Sequence, residues 1–110
     1  MIARTWHGRV PAAKADAYET FLHRTGLADI AGTPGNRGML LLRRSEGGVT
    51  HFLLTSLWES EEAIKRFAGE DYRRAHYYDG DDDFLLEREE FVTHHDVVVA
   101  QVGPTVQAAP

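Results

Sequence analysis

Three groups of side chains in this sequence have the types and spacing for chemistry. His76 stands four residues after Tyr72 and directly before Tyr77 and Tyr78. An imidazole ionises near neutrality, so among aromatic rings it can take the proton of a phenol and leave an electron-rich anion that reacts with dioxygen. The competing reading is a partly exposed histidine bonded to a carboxylate. Arg4 and Trp6 lie two residues apart, and in a strand that spacing puts both on one face, with Thr5 and His7 on the other. If the shared face looks toward helices, Arg4 brings a cation to an apolar pocket, where it can hold a phenolate, enolate or carboxylate. The alternative is an ion pair with an acidic residue of the last strand. Trp6 reads first as a packing residue.

The third group is His94, His95 and Asp96. Neighbouring strand residues point to opposite faces, so the two imidazoles cannot share one metal ion without a bulge. His95 faces inward if Thr93, His95 and Val97 form the inward row; hydrogen bonding at a subunit interface is the other use, and the role of His94 and His95 stays open. Asp79, Asp81, Asp83 and Glu90 match four ligand positions of a calcium loop, but Phe84 stands where its sharp turn needs glycine. That stretch reads as a solvated acidic loop. No metal set, nucleophile or nucleotide-binding loop emerges, and no cofactor is expected.

Composition narrows the field further. The 110 residues, 43% of them hydrophobic, suffice for one core and are too few for two ordinary domains. A formal net charge of −5 argues against a general basic surface for nucleic acid. Cysteine is absent, which excludes disulfides, thiolate catalysis and zinc sites built on thiolates, and which fits a reducing cytosol. Residues 1–20 lack the succession of charged, apolar and small residues of a signal peptide, and no apolar run approaches the roughly 20 residues of a membrane span. A cytoplasmic protein with neither nucleic-acid nor membrane partners is the expectation.

Positioning the candidate groups falls to a short series of elements. Ile2 to Val10 reads as a strand closed by Pro11, and Ala12 to about Gly26 as a helix with Tyr18, Phe21, Leu22 and Thr25 at helical spacing. Gly32, Pro34, Gly35 and Gly38 predict a loop over Leu27 to Gly38. Strands at Met39 to Arg44 and Thr50 to Trp58 flank a glycine-rich hairpin turn. Ser60 then caps a helix with Glu61 and Glu62 in its first turn, ended or bent by Gly69. A further turn over Asp71 to Tyr77 is predicted to carry Tyr72 and His76 along one side. Phe84 to Leu86 reads as a short buried turn, and Glu90 to Val102 as the last strand, firmest at Val97, Val98 and Val99. Residues 1–102 thus form one domain, with a flexible tail over 103–110.

The order βαββαβ predicts an α+β fold of the ferredoxin-like kind, a four-stranded antiparallel sheet with both helices on one face. Leu40, Leu42, Leu53, Thr55 and Leu57 leave apolar groups on both faces, and no third layer exists to cover them. A second subunit packed sheet to sheet is the economical cover, which predicts a homodimer.

The strand Phe52-Leu53-Leu54-Thr55-Ser56-Leu57-Trp58-Glu59-Ser60, followed by Glu62-Ala63, Phe67 and His76, resembles the antibiotic biosynthesis monooxygenase superfamily of dimeric α+β barrels. With the opening strand, Pro11 and the Thr33-Pro34-Gly35 turn, the resemblance extends over residues 1–102. It implies a pocket between sheet and helices, lined by one face of the first strand, the Phe52 to Trp58 strand and the Phe67 to His76 region. It further implies a cofactor-independent monooxygenase or related enzyme acting on a small aromatic or enolisable substrate. His76 would then be the catalytic base, and Arg4, Trp6, Phe52, Phe67 and Tyr72 would bind substrate. A non-catalytic ligand-binding or accessory dimer is the alternative. Haem-degrading members of the superfamily use a first-strand asparagine, a second-helix tryptophan and a following histidine. Here Trp6 and Phe67 replace the first two and only His76 matches, which leaves haem binding or degradation as the lesser alternative.

Overall fold

Over residues 1–104, which the computed structural model describes, the chain runs β1 (Ile2–Pro11), α1 (Ala15–Arg24), α2 (Gly26–Gly32), β2 (Asn36–Glu46), β3 (Val49–Trp58), α3 (Glu61–Ala68) and β4 (Thr93–Asp96). The strands make one antiparallel sheet in the order β2-β3-β1-β4. This is the ferredoxin-like α+β arrangement predicted from the element order, with its first helix broken in two. Most of the tail predicted over 103–110, from residue 105 on, lies outside the described residues.

Alternation along the strands decides what each face carries. Arg4 lies opposite Ser56 on β3 and His94 on β4, Trp6 opposite Leu54, and Val10 opposite Thr50. That row faces the helices, where Val10, Thr50, Phe52, Ser56 and Trp58 are buried. Helix α1 adds Ala15, Tyr18, Phe21 and Leu22, and α3 adds Ala63 and Ile64. Each large apolar side chain so buried contributes about 1.5–3 kcal/mol. The Trp58 indole donates to Ser56 Oγ at 2.8 Å, which satisfies a buried donor inside this core. On the other face Leu40 and Leu42 are about half exposed, at 48% and 50%, and Leu53 is 37% exposed.

Several boundaries differ from those predicted, each for a local reason. The loop predicted from Leu27 is helical to Gly32, because Thr25 interrupts the helix without ending it. Its hydroxyl donates to Phe21 O at 2.9 Å, and the new helix buries Leu27 and Ile30 at three-residue spacing. Strand β2 starts three residues earlier than predicted, through a bulge between Asn36 and Gly38. The hairpin closes through Gly47 and Gly48, both with positive φ, as a tight two-residue turn requires. Ser60 caps α3 as predicted, its Oγ accepting from Ala63 N at 3.2 Å.

The two larger departures lie after α3. The turn predicted over Asp71 to Tyr77 is confined to its start, where Arg74 N donates to Asp71 O at 3.1 Å; Arg74 then bridges Phe91, with Ala75 N donating to Glu90 O and Val92 N to Arg73 O, each at 2.9 Å. The last strand spans only Thr93–Asp96, and Val98, Val99 and Val102 are exposed rather than its firmest part. Register explains this. The pairing follows β1 to its first residues: Asp96 lies opposite Ile2, where β1 starts, and Val97 N donates to Met1 O.

Gly35 ties β3 to α3. Its φ is +96°, its carbonyl accepts from Glu59 N at 3.0 Å, and a Cβ there would overlap the Cβ of Ala63. Gly35→Ala is therefore expected to lower unfolding free energy by about 2–4 kcal/mol, from backbone strain plus overpacking. Gly47→Ala, in open space at φ +59°, is expected to cost only about 1 kcal/mol. Urea denaturation of the two variants beside the parent checks the contrast.

Candidate functional site

Between the sheet and its helices lies a cavity lined by Arg4, Trp6, Leu54, Ser56, Phe67 and His76, with Tyr18, Leu22, Gly26, Ile30, Tyr77, Tyr78 and Asp81 completing its wall. The cavity itself has a volume of about 40 Å³, room for a few water molecules, and it opens to solvent at its mouth.

Arg4 is the one cation in this wall, and only 4% of it is exposed. Its Nη1 donates to the carbonyl of Tyr72, and its Nη2 donates to the carbonyl of Arg74 at 3.1 Å. A guanidinium has no acceptor, so His94 Nε2, 3.4 Å from Nη1, must be the unprotonated nitrogen of a neutral imidazole. Burial, and then the charge of Arg4, hold the His94 pKa below its ordinary value. Burial likewise pulls Arg4 down to about 10, which leaves it charged at neutral pH. The carboxylate partner anticipated on the last strand is not there; two carbonyls and an imidazole take its place. His94 is thus the inward residue of the pair and His95 the outward one, because His94 is the register partner of Arg4.

Phe67 connects the cation to the histidine. The Arg4 Cζ lies 5.7 Å from its ring centroid, the His76 ring 5.3 Å, and Trp58 stacks on it at 5.7 Å. His76 stands exposed at the cavity mouth, edge-on to Tyr78 at 4.9 Å. Opposite, the Trp6 indole lies along its own strand above Gly8, where a Cβ would strike the ring. Its Nε1 donates to Tyr77 Oη at 3.3 Å, and Tyr77 donates on to the carbonyl of Glu89 at 2.6 Å. Residues 86–89 follow the edge of β1 that β4 leaves free beyond Thr5: Leu86 N donates to Arg9 O, and Glu87 pairs with Arg9 at 2.7 Å. From the same segment the Glu89 carboxylate reaches His7 on the far face, and His7 Nε2 meets His51 Nδ1 at 2.9 Å.

The acidic loop departs from its predicted solvation at one residue. Asp81 is 3% exposed and lines the cavity. Its carboxylate accepts from Tyr18 Oη at 2.9 Å and from Tyr78 N at 2.7 Å. Burial raises the Tyr18 phenol well above its ordinary value, with Asp81 adding to the effect, and Tyr78 is raised by burial and by its bond to Asp29. Both stay protonated as donors. Among the described residues no group of three potential ligands could hold a metal ion.

Of the residues singled out in the sequence, Arg4, Trp6, Phe67 and His76 meet at the cavity. Phe52 does not; it is fully buried against Tyr18, ring centroids 5.3 Å apart. Tyr72 lends the cavity only its backbone carbonyl, through Arg4, while its ring borders a separate cleft with Glu61 and His94. Sequence reasoning missed Tyr18, Tyr77, Tyr78 and Asp81. Tyr18 carried a signal in its inward helical position, whereas Asp81 was indistinguishable from its acidic neighbours.

The family model for antibiotic biosynthesis monooxygenases matches residues 1–77. No curated protein matches the chain in sequence. Among solved structures, a candidate antibiotic biosynthesis monooxygenase from Nitrosomonas europaea superposes with a TM-score of 0.66 at 16% identity, over 90% of this chain and 100% of that one. The haem-degrader MhuD of Mycobacterium tuberculosis, solved with two haems in its active site, superposes with a TM-score of 0.60 at 22% identity, over 93% and 100%. These likenesses establish a shared fold.

A depressed histidine pKa has a definite sign. The unfolded chain takes the His94 proton first, so stability is fully present above the ordinary value near 6.5 and is lost as pH falls from there through the folded value. The thermal midpoint is expected to drop between about pH 7 and pH 5, and His94→Gln, which keeps an acceptor and cannot titrate, should flatten that slope. Differential scanning calorimetry across the range checks it. Separately, Gly8→Ala is expected to displace the Trp6 ring while leaving the chain folded, read as loss of the Trp6 indole N–H shift in NMR with unchanged far-UV circular dichroism.

Proposed function

The chain belongs to the antibiotic biosynthesis monooxygenase family, and from that premise we propose that its cavity takes up a small aromatic or enolisable molecule and oxidises it with dioxygen. The observation that carries this reading is a buried Arg4 with no carboxylate partner, set beside an exposed histidine in a mainly aromatic and aliphatic wall whose one carboxylate, Asp81, is bonded to Tyr18 and to Tyr78 N. A desolvated cation without a counter-ion attracts an anion strongly. Arg4 binds the anionic oxygen of the substrate, and Phe67 and Trp6 supply aromatic walls. His76, at the mouth, takes the phenolic or enolic proton. The resulting anion is electron-rich enough to react with dioxygen directly, one oxygen atom entering the ring as a quinone carbonyl and the other leaving as water.

The family's haem-degrading branch implies a haem, and the residues here do not fit one. Trp6 stands in place of the amide, its indole N–H is bonded to Tyr77, and the ring is held in the cavity wall above Gly8. The half-exposed Leu40, Leu42 and Leu53 on the far face support a homodimer that packs sheet against sheet. The absence of cysteine supports a cytoplasmic setting.

Purified protein should consume oxygen with phenols and quinols, and His76→Ala should lower kcat by about 100-fold with little change in binding. Binding without turnover, unaffected by His76→Ala, would replace the enzyme with a ligand-binding or accessory protein. Analytical ultracentrifugation should give twice the chain mass, and Leu53→Glu should return it to one.

A further inference from the structure

We infer that the cavity recognises its substrate by a carboxylate, held by two parallel N–H donors of Arg4, so that the substrate class is a small hydroxylated aromatic acid. The inference rests on the oxidative reading of the site and narrows it.

A guanidinium carries five N–H groups in a rigid plane. Three have partners: both on Nη1, to the Tyr72 carbonyl and His94, and one on Nη2, to the Arg74 carbonyl. Two are left, the Nε–H and the second Nη2–H. Among the described residues no buried side-chain nitrogen or oxygen lacks a partner, so the unpartnered Nε is not sealed in protein. Arg4 lines the aromatic cavity and is absent from the lining of the neighbouring cleft around Tyr72. Its open side therefore gives onto the cavity. When the Arg74 carbonyl takes the Nη2 hydrogen nearer Nη1, the two free donors lie side by side on one edge, the geometry that matches both oxygens of a carboxylate.

Everything around the guanidinium keeps that edge turned inward. His94 and the two carbonyls take hydrogens from the Nη1 end, and Phe67 lies within cation–π distance of the Cζ at 5.7 Å. His94 is in this respect a positioning residue, acting through Arg4. Phe67 also contacts His76, at 5.3 Å, so the cation and the base flank one ring and both line the cavity. An acid at one end and an ionisable hydroxyl at the other satisfies both.

Isothermal titration with 3-hydroxybenzoate, 3-hydroxybenzamide and phenol separates the possibilities, since the amide copies the shape of the acid without its charge. The acid is expected to bind the parent protein at least about ten-fold more tightly than the amide. Arg4→Lys, which keeps the charge and loses the paired donors, should weaken the acid about ten-fold and leave the amide unchanged. His94→Gln, which restores an acceptor to Arg4, should hold the acid near parental affinity, whereas His94→Leu should not. Equal binding of acid and amide by the parent protein overturns the inference while leaving the oxidative reading intact, and needs no variant to fold. Undiminished acid binding by Arg4→Lys also overturns it. No binding of any of the three overturns the pocket reading itself.

Discussion

A cation buried in the wall of a small core is the constraint on which much of this chain depends. Taking a guanidinium out of water costs several kcal/mol unless its hydrogens find partners. Here the partners are main-chain oxygens of Tyr72 and Arg74 with the imidazole of His94. Main-chain carbonyls can serve only if their segment is not using them in a helix. The stretch after Gly69 accordingly leaves helical conformation and pairs through Arg74 with Phe91, just before Thr93 to Asp96 run alongside β1. The segment that brings His76 to the cavity is thus also the one that satisfies this side chain.

The sheet itself was legible in the sequence. Alternation in Ile2 to Val10 and Thr50 to Trp58, the Gly47-Gly48 turn, the Ser60 cap and the helical spacing of Ala63, Ile64 and Phe67 are local signals, and local interactions realise them. What could not be read depends on contacts distant in sequence. The valines near residue 98 have strong strand propensity, yet propensity cannot tell where a partner strand begins, and β1 begins at residue 2. Leu27 and Ile30 hold a second helix because they reach the core, information absent from a segment dominated by the glycines and proline that follow it. Asp81 is set apart from Asp79 and Asp83 by meeting Tyr18, 63 residues away, as well as Tyr78 N.

The candidate site shows the same division. Arg4, Trp6, Phe67 and His76 could be named because strand alternation and helix spacing assign faces. Phe52 and Tyr72 followed the same rules and went elsewhere, since a face has more positions than a cavity has wall. Phe52 is taken up by packing with Tyr18 in the core. The Tyr72 ring turns toward His94, edge-on at 5.1 Å, while its backbone serves Arg4.

Glu89 has a place on both sides of the sheet. Its carbonyl accepts from Tyr77, which accepts from the Trp6 indole in the cavity wall, while its carboxylate holds His7, and through it His51, on the far face. The two faces of a four-stranded sheet are ordinarily independent in how they tolerate change, because the backbone between them is rigid. Here one residue belongs to both, its carbonyl to one face and its carboxylate to the other. Substitutions at His51 and at Trp6 lie on opposite surfaces, yet their energetic effects will not simply add, and the far face is therefore inherited together with the pocket.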